Sequence, residues 1–301
     1  MGLSLMSDIK KDIQKIRQEA EKHTSKNMKP ILQAYKRALD DVRAEIAKIY
    51  MEYSEDGELK ISKQQRYTIL KQLEKRLIEQ AKELGNIDLE HTTNILSDVY
   101  KDSYYKTAFL LEKDIHKSID FSILRPEFVK AAVKTPVKGE MFSDRIWNNK
   151  EKLVSRVKRD VEQAIIEGKS PEKLARQIKN DFGVSAYESQ RLIYNEVARC
   201  VTQAQSKIYE ESGVVQEVMF DATLDEKTSE ICQNLDGKRF QLGDEPKIPE
   251  ETHVGCRSCI IPVVGGWNPT RKRENIKDST DTKPIIDYSD YNSWAKMKGI
   301  S

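Results

Sequence analysis

Cysteine and histidine are the scarcest chemistry-bearing residues in this 301-residue chain, at four of each. Three of those eight crowd into the stretch THVGCRSC as His253, Cys256 and Cys259, and Cys232 stands twenty intervening residues upstream. Thiolates and neutral imidazoles are the ligands that zinc prefers, and four of them in a tetrahedron leave no open position. A gap of two residues lets one turn deliver successive side chains to one ion. The longer gap lets a second turn face the first, as in zinc ribbons. The spacing therefore predicts a structural, non-hydrolytic zinc site built from Cys232, His253, Cys256 and Cys259. Simpler fates stay open for each residue. Cys232 alone could fill a small core, His253 could cap a turn, and Cys256 with Cys259 could form a redox pair. No thioredoxin-like βαβ pattern precedes that pair, however.

Catalytic constellations are missing from the sequence. A zinc deaminase needs His-x-Glu and Pro-Cys-x-x-Cys, whereas here Pro249, Glu250 and Glu251 precede His253 and Gly255 precedes Cys256. The sequence has no Walker loop, no Gly-x-Ser-x-Gly and no His-Glu-x-x-His. Asp221, Asp225 and Glu230 lie close enough in sequence to bind a hard cation, although acids in turns are usually turn formers. Glu196 falls mid-helix among apolar neighbours, where it either orients the following β segment or faces solvent. The chain is read as a non-enzyme.

The elements around the cluster follow from local texture. After Gly213 the run VVQEVMFDAT is rich in β-branched and apolar residues, and GKRFQL and CIIPVVG are two further strand candidates. A β element this small, with few large apolar residues, needs a staple, and a metal on folded thiolates supplies one. Everything before it reads as helix. Ile31, Tyr35, Ala38, Val42, Ile46, Ile49 and Tyr53 recur at steps of three and four, a nearly coiled-coil seam. Gly57 is expected to cap that helix. A third helix carries Leu70, Leu73, Leu77 and Leu84 and is expected to end at Gly85-Asn86. A fourth runs from about Leu89 to His116. Residues 121–148, with two prolines and a lone Trp147, read as an irregular connection containing one short helix. Helices resume near Asn149. Gly168 ends one, Ser170 and Pro171 open the next, Gly183 is expected to stop it, and Ser185 with Glu188 to cap a third that runs to Gly213. The expected class is α+β, mainly α: elongated antiparallel N-terminal helices, a second helical segment, and a small C-terminal β module bearing the Cys/His cluster.

Composition sets the outer limits. Charged residues are 33% of the chain and nearly balanced, 51 basic against 49 acidic, so no global excess holds nucleic acid by charge alone. No segment has the apolar length to span a membrane, and the opening MGLSLMSDIKKD is too short and charged for a signal peptide. A reducing cytoplasm is the expected compartment, which favours metal or free thiols over disulfides. From Trp267 the chain turns polar and reads as a mobile arm. There Arg271, Lys272 and Arg273 could grip phosphates, and Tyr288, Tyr291 and Trp294 could dock the chain end back.

Residues 190–264 resemble the Mu F-like minor head proteins of tailed bacteriophages, the phage head morphogenesis family. The resemblance rests on pieces in order: the helix RLIYNEVARCVTQAQ, the strand GVVQEVMF, then DEKTSEICQNLDGK, then IPEETHVGCRSC, with GKSPEKLA as the run-up. Asp225, Thr228, Cys232, Gly237, Pro249, His253, Cys256 and Arg257 hold the family positions. Ser229 and Ser258 stand where many members have cysteine. The expected division is a helical N-terminal region at 1–120, a connection at 121–148 and a polar C-terminal arm at 267–301, all read from local texture, with the segment at 149–266 as the Mu F-like domain that the resemblance implies. The resemblance further implies a structural virion protein at the portal vertex, acting in head assembly and in DNA packaging or ejection. Its partners would be the portal protein and the major capsid or scaffold protein, with phage DNA a further candidate and no membrane. It would pass through the host cytoplasm during assembly. A DNA-binding accessory module is the alternative, and a metal-dependent nuclease or toxin ranks below it.

Overall fold

In the computed structural model, residues 7–55, 58–115, 118–265, 268–277 and 281–300 are described. The elements run α1 (Ser7–Asn27), α2 (Lys29–Tyr53), β1 (Ser54–Glu55), β2 (Glu58–Leu59), α3 (Lys63–Ile115), α4 (Pro126–Val133), α5 (Phe142–Glu167), α6 (Pro171–Ser212), β3 (Glu217–Asp221), α7 (Glu230–Leu235), β4 (Arg239–Gln241), β5 (Cys259–Val263), β6 (Arg271–Arg273), β7 (Ile285–Asp287) and α8 (Tyr291–Lys298). The class is α+β and mainly α. Among the described residues no helix is long and apolar enough to cross a membrane. The expectations at Gly57, His116 and Trp267 lie outside the described residues.

The chain divides into two compact units. One gathers Ser25–Asn94 and Gly139–Ile193. Its core is helical, as the heptad-like seam of α2 requires: Ile31, Tyr35, Ala38, Val42 and Ile46 are buried, with Leu73, Leu77 and Leu84 of α3 and Leu153, Val157 and Val161 of α5. Ala38, Leu77, Leu84, Val157 and Phe182 line one small internal gap, so α2, α3, α5 and α6 converge there. Inside this core Lys150 and Asp88 form a buried ion pair at 2.6 Å, and Ser189 donates to the same carboxylate at 2.7 Å.

Two expected helix ends do not occur. The third and fourth helices are one, α3, because Gly85 serves packing and not capping. A Cβ built there would overlap the Trp147 ring, so only glycine lets the indole approach the helix. Gly183 likewise lies inside α6, with open space around its missing Cβ. Ser185, expected as a cap, donates its hydroxyl to Asn149 at 2.8 Å across the core. Gly168 does close α5, in the left-handed conformation at φ 64°.

The other unit gathers Met1–Thr24, Ile95–Lys138 and Tyr194–Ser301. Its core draws Ile9, Ile13 and Ile16 from α1, Leu96, Val99 and Tyr104 from α3, and Val197, Cys200, Ala204 and Ile208 from α6. Against the helices stands the three-stranded antiparallel sheet β4-β3-β5. The register pairs Val218 with Phe240 on one side and Met219 with Ile261 on the other. Every residue of β5 is buried, which fits its unbroken apolar run. In the polar C-terminal stretch β6 pairs with β7. Trp294 is fully buried beside Tyr291 and Leu224, and its indole N–H donates to Glu274 at 2.8 Å. The aromatics expected to dock the chain end do so.

Candidate metal centre

Cys232 reaches the site from α7. Ser229 caps that helix, its hydroxyl accepting from the Cys232 amide, which fixes the thiol in the first turn. The facing turn is His253 to Cys256, closed by the Cys256 amide on the His253 carbonyl at 3.2 Å. Gly255 takes φ +77° there, a conformation that favours glycine. Its amide donates to the Asn195 side chain of α6 at 2.7 Å, and Arg17 of α1 donates to the Cys256 carbonyl at 3.1 Å. Helices thus hold the turn from two sides.

The ligand atoms of Cys232, His253 and Cys256 all lie within 4.8 Å of one another. The two sulfurs are 3.6 Å apart. They do not titrate alike. The hydrogen bond from Cys232 lowers Cys256 to about 5 against the opposing effect of burial, helped by Thr252 and Ser258. The same hydrogen bond, with burial, pushes Cys232 up. The His253 Nδ1 donates to the Val254 carbonyl at 3.0 Å, which leaves the Nε2 lone pair for a ligand. Two soft sulfurs and an imidazole nitrogen suit a metal ion of the zinc class, and this group could hold one.

Cys259, expected as the fourth ligand, is not brought to the group. It opens β5 opposite Asp221, and burial pushes its thiol up to about 12. The two serines behave differently. Ser258 is buried, and the Ser229 hydroxyl accepts from the Cys232 amide.

The remaining motif residues form a lock around the group. Asp225 receives a two-pronged hydrogen bond from Arg257, at 2.6 and 2.8 Å, and a third from Asn275 at 2.6 Å. Thr228 donates to the same carboxylate and to the Thr223 carbonyl. Gly237 takes φ +78° between α7 and β4, and a Cβ there would meet the Tyr288 hydroxyl at 2.8 Å. Pro249 follows a cis peptide bond, and its carbonyl accepts from the Thr252 amide at 3.3 Å.

A second ionic cluster lies at the end of β3, and sequence reading missed it. Asp221 accepts Lys10 at 2.7 Å and Lys272 at 3.2 Å, while Lys272 sits 2.6 Å from Asp236. All four side chains are buried, two positive against two negative. Lys272 therefore points inward, whereas its neighbours Arg271 and Arg273 are exposed. Asp221 and Asp225, weighed as cation ligands, are each taken up by basic side chains. Glu196 is buried and pairs with Arg199 at 2.7 Å, and Arg199 donates to the carbonyls of Ala132 and Val133 at the end of α4. The sequence signal for these pairs was only the presence of charge inside apolar runs, which does not name a partner.

The sequence that builds this Cys/His group and Asp-Arg lock is similar to known proteins. Residues 155–261 match the family described as Phage Mu protein F like protein. That segment begins halfway along α5 and extends into β5, and it includes every residue of the metal group and the lock except Asn275. Over 284 residues the chain is 23% identical to minor head protein GP7 of Bacillus phage SPP1, covering 87% of this chain and 90% of that protein. Over 206 residues it is 25% identical to the NAD(+)--arginine ADP-ribosyltransferase EFV of Enterococcus faecalis, covering 64% of this chain. The chain spans only 41% of that transferase's length. No solved structure is a match.

Proposed function

We propose that the chain is a structural minor head protein of a tailed bacteriophage or prophage, acting in head assembly. The observation that carries this reading is the collinear likeness to GP7 over nearly the whole of both chains. The family match over residues 155–261 supports it. The use made of the motif residues agrees: Asp225, Thr228, Gly237 and Arg257 are spent on turns and ion pairs that hold the β module, which suits a scaffold more than a reaction centre. The transferase activity named for the Enterococcus protein is not carried over, since less than half of that protein is spanned. The location in this reading is the virion, reached by way of the host cytoplasm. The partners are the portal protein and the major capsid or scaffold protein. Phage DNA is a further partner, with the exposed Arg271 and Arg273 as the phosphate contacts.

In the same reading Cys232, His253 and Cys256 hold a structural zinc ion. The support is the donor set and the position of the group between two turns of a module with a three-stranded sheet. Bound metal would tie α7 to the turn before β5, supplying stability that so small a core lacks.

The test uses the phage or prophage that encodes the chain. Its gene is deleted, and particles are purified and examined by electron microscopy and quantitative mass spectrometry. The expected result is that the chain is found in parental heads at low copy number, and that deletion yields aberrant or poorly filled heads. Heads that form and fill normally without it, and parental heads that lack it, would overturn the proposal.

A further inference from the structure

The buried quartet of Lys10, Asp221, Asp236 and Lys272 contributes nothing to the metal group, and it sets an amine nucleophile against a carboxyl group away from water. We propose that Lys272 and Asp236 join in the folded chain, through an amide bond between the lysine Nζ and the aspartate side-chain carboxyl, with Asp221 carrying the proton. This goes beyond the head-protein reading and does not depend on the metal.

The parts of an acyl transfer are in place. The Lys272 Nζ is 2.6 and 2.7 Å from the two Asp236 oxygens. Near-equal reach to both oxygens sets the nitrogen opposite the carboxyl carbon, at roughly the 3–3.5 Å of a near-attack arrangement. The Ala222 amide donates to the Asp236 Oδ1 at 2.7 Å. A fixed backbone N–H at that oxygen polarises the carboxyl and steadies the oxyanion that forms when nitrogen adds. The Asp221 Oδ1 lies 3.2 Å from the same Nζ, within reach of the proton that must move. Gln14 donates to the other Asp221 oxygen at 2.7 Å, and the Lys10 Nζ sits 2.7 Å from Oδ1, so this carboxylate is fixed and balanced in charge.

The site is dry. The Lys272, Asp221 and Asp236 side chains are exposed by only 2%, 2% and 0%. The Tyr288 ring covers both amines, at 5.2 Å from the Lys10 Nζ and 5.7 Å from the Lys272 Nζ. Burial lowers Lys272, but Asp221 and Asp236 together hold it up. Burial raises Asp236 against the pull of Lys272. The resting form is therefore an ion pair. The reactive form is the neutral pair, reached when one proton crosses the hydrogen bond from Nζ to an Asp236 oxygen, with none exchanged with solvent. Burial penalises the charged form of both groups and so narrows the gap between the two forms.

Nitrogen then adds to the carboxyl carbon. Asp221 takes the second Nζ proton and delivers it to the departing hydroxyl, which leaves as water. One C–N bond forms, one C–O bond breaks, and nothing is oxidised or reduced. Lys10 and Asp221 remain as a balanced pair. The amide ties β6 to the end of α7 and closes a covalent loop that contains His253 and Cys256.

The test is the mass of the purified full chain, measured denatured and followed by peptide mapping. The parent is expected to be lighter than its sequence by one water, with a branched peptide joining Asp236 to Lys272. Lys272→Arg restores the full mass. Asp236→Asn forms the same amide with loss of one ammonia in place of water. Asp221→Asn slows bond formation by about a hundredfold, the usual worth of a placed proton carrier. A parent that keeps its full sequence mass after days in the folded state at neutral pH overturns the proposal, and so does a lost water that maps to other residues. Cross-linking at the parental rate in Asp221→Asn overturns the role given to Asp221. The decisive reading is made on the parental chain, so a variant that fails to fold does not blunt it.

Discussion

Arg257 grips Asp225 through two parallel hydrogen bonds, at 2.6 and 2.8 Å, and so joins the turn after β3 to the turn that carries Cys256. Burial works against the Asp225 charge, but Arg257 and Asn275 hold its carboxyl down at about 2. An unfolded aspartate titrates near ~4. The stabilisation is therefore fully present above about pH 4 and is lost as pH falls toward 2. Arg257→Leu should cost about 2 kcal/mol at pH 7, the worth of hydrogen bonds to a charged group. It should also flatten the acid limb of the stability curve. Urea unfolding from pH 2 to 7 checks this, and an unchanged acid limb would count against the lock.

Lys272 is the bridge between Asp221 and Asp236. Removing it as Lys272→Met leaves two buried carboxylates with only Lys10 to answer them, and the expected loss is roughly 3–5 kcal/mol at pH 8. Burial already raises Asp236 against the pull of Lys272. Without the lysine it takes up a proton more readily, so the loss should shrink toward pH 5. Replacing Arg271 and Arg273 together by alanine should leave the melting temperature unchanged and weaken any salt-dependent binding to duplex DNA. Thermal melts and binding isotherms on the two variants separate the structural lysine from its exposed neighbours.

Asp160 and Asp181 are both buried, and the Asp181 Oδ2 has no hydrogen-bond partner among the described residues. Burial first, then the hydrogen bond and charge of Asp160, raise Asp181 to about 7, with Arg156 and Arg159 pulling the other way. The folded chain thus binds more protons than the unfolded chain between about pH 4 and 7, and stability from this site falls as pH rises through that window. Asp181→Asn should remove the slope and melt higher than the parent at pH 8. Equal slopes in parent and variant would contradict the shared-proton pair.

Gly85 meets the Trp147 ring. Gly85→Ala would normally strengthen a helix by about 1 kcal/mol. Here the added methyl overlaps the indole, and overpacking of this kind costs about 1–3 kcal/mol. The expected result is a lower melting temperature, recovered when Trp147→Leu is added. A higher melting temperature in the single variant would mean the indole moves freely.

How much of this could be read beforehand depends on the range of the contact. The stripes of α2 and α5 were legible because helical period and burial are the same fact seen twice, and Gly168 was legible as a cap because its partner is its own helix. Gly85 and Gly183 were misread as stops, since nothing near Gly85 in sequence reveals Trp147. Cys232, His253 and Cys256 were legible from residue type and spacing. The position of Cys259 was not, because its place at the start of β5 is set by pairing with Asp221, on a strand distant in sequence. The four-residue cluster of Lys10, Asp221, Asp236 and Lys272 draws on three distant stretches of chain, and no local pattern pairs them.

The claim that Cys232, His253 and Cys256 hold one metal ion, and through it the β module, is tested most directly by elemental analysis of the full chain purified without chelator, followed by melting before and after metal removal. The account predicts one zinc per chain, a lower melting temperature once it is stripped, and loss of both zinc and that difference in Cys232→Ser. Metal-free protein whose melting is indifferent to added zinc and to Cys232→Ser would contradict it.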